Sequence, residues 1–154
     1  SDYSLSDVRQ IKNTVYKMFD NNYGGLSGAP KFPMCPLLKY FTLISSKYSD
    51  DNLRCVAIVE KTIKAISVGG IFDHVGGGFS RYSTDEYWLV PHFEKMLYDN
   101  AQLIEVLSIL HLIKPSYLYK SRVLYKNTSP DILGFYLYAR RAFPRFAPLA
   151  ATCC

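Results

Sequence analysis

Apolar residues recur three and four positions apart in four separate stretches, and this pattern decides most of what the chain can fold into. Val8, Ile11, Val15, Met18 and Phe19 form the first stripe. Leu37, Leu38, Phe41 and Ile44 form the second, and Val56, Val59, Ile63 and Ile66 the third. The fourth runs through Phe93, Met96, Leu97, Asn100, Leu103, Ile104, Leu107 and Leu110. Such spacing places each set on one face of a helix. It predicts helices near residues 7–20, 37–48, 53–68 and 92–113. Ser6 or Asp7 suits the first N-cap, and Pro91 precedes the fourth helix, where a first turn tolerates proline. The polar turn Ser49-Asp50-Asp51-Asn52 makes the second and third helices an antiparallel hairpin.

Between the helices lie two loops rich in turn residues. Residues 24–36 hold three glycines and three prolines. Residues 69–91 begin with Gly69-Gly70, which stops the third helix, and contain FSRYSTDEYWLV, whose composition allows a small β-hairpin. Both loops follow a helix two segments apart, so they are expected at the same end of the molecule.

Charge divides the chain unevenly. Residues 1–113 carry 11 Lys/Arg and 12 Asp/Glu, whereas residues 114–154 carry 7 Lys/Arg and the single acid Asp131. The net +5 therefore resides in the C-terminal quarter. That quarter also holds four prolines and no sustained helical period, and it reads as a poorly ordered basic tail without a nucleic-acid partner. No stretch has the ~18–20 apolar residues of a membrane span, and the first twenty residues lack the apolar segment of a secretory signal. Cys35, Cys55, Cys153 and Cys154 form no CxxC pair, so neither zinc nor a redox dithiol is indicated. A cytoplasmic protein with reduced thiols is expected.

Chemistry concentrates in residues 69–100, which pack Asp73, His74, Arg81, Asp85, His92, Glu94, Tyr98 and Asp99 around five glycines and Trp88. Gly76-Gly77-Gly78 lacks the contexts of a phosphate loop, so it reads as a tight turn. His92-x-Glu94 lacks the cysteine pair of a zinc deaminase. The irregular spacing of Asp73, His74 and His92 argues against a metal, and no cofactor is expected.

The segments GGLSGAPKFP and GGIFDHVGGGFSRYSTDEYWLVPHFEKMLYDNAQL, with their separation, resemble the family of the thioredoxin-domain-containing, spermatogenesis-associated protein and its bacterial relatives. The resemblance covers about residues 7–113 and not residues 114–154. It implies an all-α fold of antiparallel helical hairpins, forming part of an (α/α)6 barrel like those of six-hairpin glycosidases and N-acylglucosamine 2-epimerases. Six hairpins need about twelve helices, on the order of 250 residues. The expected domain of residues 1–113 is therefore an arc of a larger barrel, inactive by itself. Its partners would be a sugar-like molecule and either the rest of the barrel or a second copy.

Two chemistries fit the loops. Epimerisation needs a base beside a carbonyl and an acid to return the proton, work suited to imidazoles, which titrate near neutrality. Glycoside hydrolysis needs two carboxyl groups across the scissile bond. His74, His92, Glu94 and Asp73 are the catalytic candidates, with Asp85 as another possible carboxyl. Lys31 and Arg81 are candidates for holding hydroxyls or an anion, and Phe32, Tyr82 and Trp88 for stacking on a ring. Tyr98 and Asp99, with Asn100, either bond loop backbone or reach a ligand. On regular helical geometry His92 and Glu94 point about 200° apart, which favours His92, with His74 as its partner. The alternative function is a non-catalytic remnant or accessory interaction protein that keeps the fold's loops.

Overall fold

A computed structural model describes residues 5–45, 52–116 and 118. Four helices follow in order: α1 (Leu5–Met18), α2 (Cys35–Ser45), α3 (Asn52–Val68) and α4 (Leu97–Ile113). Among the described residues the fold is all-α, without a named strand. The polar turn between α2 and α3, and nearly all of the basic tail, lie outside the described residues.

The stripes of α2 and α3 and the later part of the α4 stripe make most of the core, while Ile11 and Met18 of the first stripe stand half exposed. Phe41 of α2, Val59, Ile63 and Ile66 of α3, and Leu103, Leu107 and Leu110 of α4 are fully buried. Burying each such side chain contributes about 1.5–3 kcal/mol. α2 packs against both α3 and α4. α1 joins through Val15 and Tyr16, with Tyr16 tilted on Phe41 and the Arg54 guanidinium 3.9 Å from the Tyr16 ring centroid. Cys35 and Cys55 are buried free thiols, as their helical context predicts.

Three features differ from the sequence reading: two helix starts and the loop hairpin. α2 begins at Cys35, with Met34 at φ 53° before it. Pro36 thus lies inside the first turn, where its missing N–H loses no bond. α4 begins at Leu97, not at His92. Residues 90–94 instead run alongside 81–84: Thr84 N–H donates to the Val90 carbonyl, His92 N–H to Tyr82, and Arg81 N–H to Glu94, at 2.8–2.9 Å. Those bonds hold the backbone extended, and Pro91 occupies a place that asks for no donor. Phe93 therefore leaves the helical stripe and stands 86% exposed. The expected β-hairpin in residues 69–91 reduces to isolated antiparallel bridges, Phe72 with Phe79 and Ser83 with Pro91.

The two loops meet. Lys31 and Ser83 exchange backbone hydrogen bonds at 2.8 and 2.9 Å, and the Trp88 indole N–H donates to the Tyr23 carbonyl at 2.8 Å. Gly25 is required there: its φ is +71°, and a Cβ would come within 2.7 Å of the Trp88 ring.

Candidate functional site

Several candidates hold the loops together. Lys31 is 2% exposed, with its ammonium 2.5 Å from an Asp20 carboxylate oxygen, 3.0 Å from the Glu86 carbonyl and 5.3 Å from the Trp88 ring centroid. Burial pushes the Asp20 carboxyl up, but hydrogen bonds from Lys31, Tyr23 and Asn22 outweigh it and hold the group below its usual range. Trp88 is 1% exposed, at φ 66°. Neither side chain reaches solvent where a ligand would touch it. The sequence missed Asp20, whose only signal is its place in a turn.

Asp73 and Asp85 also support backbone. Asp73 accepts from Val75 and Gly76 N–H and from the Lys95 ammonium, and Lys95 also donates to the Gly77 carbonyl. The Lys95 bond, aided by the two amides, holds the Asp73 carboxyl far below the ordinary range. Asp85 accepts from Tyr87, Leu89 and Val90 N–H, which outweigh its burial and keep it ionised. A general acid needs its pKa raised, so neither carboxyl has that character. Asn100 likewise clamps loop backbone, holding Phe79 through both its N–H and its carbonyl.

A different group faces outward. Phe32 and Tyr82 lie 4.8 Å apart between ring centroids, Tyr82 and His92 stack at 4.4 Å and 21°, and His92 and Phe93 follow at 4.5 Å. The row crosses both loops and ends at the exposed Phe93 ring. Beside it, His92 Nδ1 lies 3.8 Å from a Glu94 carboxylate oxygen. The expectation that these two point apart fails because they sit on extended backbone, not on a helix. Arg81, bonded through its N–H to the Glu94 carbonyl, carries its guanidinium 5.9 Å from the Tyr98 ring centroid.

Asp99 stands in the first turn of α4. Burial raises its carboxyl pKa against the opposing pull of Arg81, and its Oδ2 is buried without a hydrogen-bond partner. Burial, with the Asp99 charge, pushes the neighbouring Cys35 thiol up to about 12, so it is not a nucleophile. His74 is held elsewhere, with Nε2 3.0 Å from the Gly69 carbonyl and its ring edge-on to Phe72. No group of three metal-binding side chains occurs among the described residues. An apolar crevice lined by Val15, Phe19, Leu26, Pro33, Leu37 and Ile58 contains none of the acid/base candidates.

Parts of the chain have counterparts in longer proteins. Human spermatogenesis-associated protein 20 is 49% identical over 87 residues, covering 55% of this chain and 11% of the human protein. Its homologues include spermatogenesis-associated protein 20. The rat protein of the same name is 48% identical over the same length. An uncharacterized protein of Caenorhabditis elegans is 36% identical over 142 residues, 83% of this chain and 19% of the worm protein. No family model matches the chain. The chain thus spans between about a tenth and a fifth of the length of these relatives. Among the described residues no helix is long and apolar enough to cross a membrane.

Proposed function

We propose that these loops form one wall of a sugar pocket in a larger (α/α)6 barrel, with His92 transferring the proton in an epimerase-type reaction. The observation that carries this reading is the aromatic row Phe32–Tyr82–His92–Phe93 across the joined loops. Aromatic faces suit the C–H face of a sugar ring, and stacking on Tyr82 orients the His92 imidazole beside it. The carboxyls of Asp73 and Asp85 are committed to loop backbone. That leaves Glu94, 3.8 Å from His92, as the acid beside the imidazole, and it weighs against a glycosidase built on Asp73 and Asp85.

The committed carboxylates also favour a second reading, an accessory interaction protein whose loops keep their shape without catalysis. Solvent exchange separates the two. A longer relative incubated in D2O with N-acetylhexosamines should place deuterium on the carbon beside the carbonyl. Replacing the residue aligned with His92 by alanine should lower that rate at least about a hundredfold, the usual contribution of a general acid–base group. Melting should stay within a few degrees. Full exchange in the variant, or none in the unaltered protein, overturns the epimerase reading.

A further inference from the structure

Glu94 approaches one nitrogen of His92 in two ways. A carboxylate oxygen lies 3.8 Å from Nδ1, and the Glu94 backbone nitrogen lies 3.5 Å from the same atom. The extended pairing fixes this arrangement, because the Glu94 carbonyl accepts from Arg81 N–H and the His92 N–H donates to the Tyr82 carbonyl. Ring contacts to Tyr82 and Phe93, at 4.4 and 4.5 Å between centroids, hold the imidazole plane. Among the described residues no hydrogen bond or ion pair engages Nε2, and the side chain is 24% exposed. Nε2 is the nitrogen left for a ligand.

A neutral imidazole carries its proton on one nitrogen, and the bonds each nitrogen makes decide which. The two Glu94 groups ask for opposite tautomers. The amide N–H needs a lone pair on Nδ1, whereas the carboxylate needs a proton there. At 3.5 Å the amide contact stands at the outer limit of a hydrogen bond and is weak. The carboxylate sits on a flexible side chain, 40% exposed, that can close the remaining gap. A bond to a carboxylate is roughly twice as strong as one between neutral groups, so the carboxylate prevails.

Resting on the epimerase reading, we propose that Glu94 is the positioning residue of His92, holding the proton on Nδ1 and leaving the lone pair of Nε2 to take the proton from the carbon beside the sugar carbonyl. The C–H electron pair moves onto the carbonyl oxygen as an enolate, and Nε2 takes the proton. The imidazolium so formed is balanced by the Glu94 charge. A proton from water, delivered to the opposite face of the enolate, completes the inversion, and Nε2 releases its own proton to solvent.

Long-range nitrogen–proton correlation spectra of the full chain, without sugar and at a pH where the imidazole is neutral, test the positioning role. His92 should carry its proton chiefly on Nδ1, although a free histidine side chain prefers Nε2. In Glu94→Ala the ratio of the Nδ1–H to the Nε2–H form should fall at least about tenfold, the size set by one hydrogen bond to a charged group. A ring protonated chiefly on Nε2 in the unaltered chain overturns the assignment, and that spectrum decides even where the variant fails to fold. A ratio unmoved in a folded Glu94→Ala overturns it as well. The tautomer is read without turnover, so absent deuterium exchange in a longer relative overturns the epimerase reading alone.

Discussion

Asn100 grips Phe79 from both sides, its Oδ1 accepting the Phe79 N–H at 2.7 Å and its Nδ2 donating to the Phe79 carbonyl at 2.9 Å. The side chain acts as a short piece of strand, fastening the glycine turn of residues 73–78 to α4. Asn100→Ala leaves a buried N–H and carbonyl unpaired, at about 1–3 kcal/mol for each unsatisfied group. Urea unfolding should show a fall in stability of about that size. A change below about 0.5 kcal/mol, the range of surface substitutions, contradicts the clamp.

Much of this was legible beforehand, and the exceptions have physical causes. Periodicity places α1 and α3 within a few residues of their observed spans; the α3 stripe faces the core, whereas Ile11 and Met18 of the α1 stripe stand half exposed. It misplaces the start of α4 because residues 81–84 capture the backbone of 90–94, and no helical period records a long-range bond. Lys31 and Trp88 read as ligand-contacting residues in a glycine-rich loop. Their burial depends on Asp20 and Tyr23, which come from a different turn. The tyrosine, histidine and phenylalanine of the outer row are all visible in sequence, but their stacking follows only from the extended pairing.

Lys31 and Asp20 form a buried pair, so removing one partner is worse than either charge would suggest. Asp20→Ala leaves the ammonium uncompensated and should cost about 3–5 kcal/mol. Guanidinium unfolding measures this, and a cost under about 1 kcal/mol shows that the loops do not depend on the pair.

Acid should separate two classes of carboxyl. Asp20, Asp73 and Asp85 are held below their ordinary values when folded. They stabilise the fold above about pH 4, their range in the unfolded chain, and lose that contribution as pH falls through their folded values. Asp99 has the opposite sign: its raised value makes its contribution complete at low pH and lost as pH rises through the folded value. Asp99→Asn should therefore melt higher than the unaltered chain at pH 7, and the gain should vanish below about pH 4. A gain that does not depend on pH contradicts the assignment.

Trp88 belongs to the core and not to a ligand wall. Its emission should be blue-shifted, resistant to iodide quenching and insensitive to sugars. Trp88→Ala should cost about 3–5 kcal/mol, read from thermal or urea unfolding. Sugar-dependent quenching of the intact chain would place the indole at the binding surface.

Intermolecular nuclear Overhauser effects test the aromatic platform most directly. With N-acetylglucosamine added to the full chain, cross-peaks should join the C–H face of the sugar to ring protons of Tyr82 and Phe93. They should disappear in Tyr82→Ala while the helical circular dichroism signal is unchanged. Cross-peaks confined to other residues, or none to this row, contradict the account.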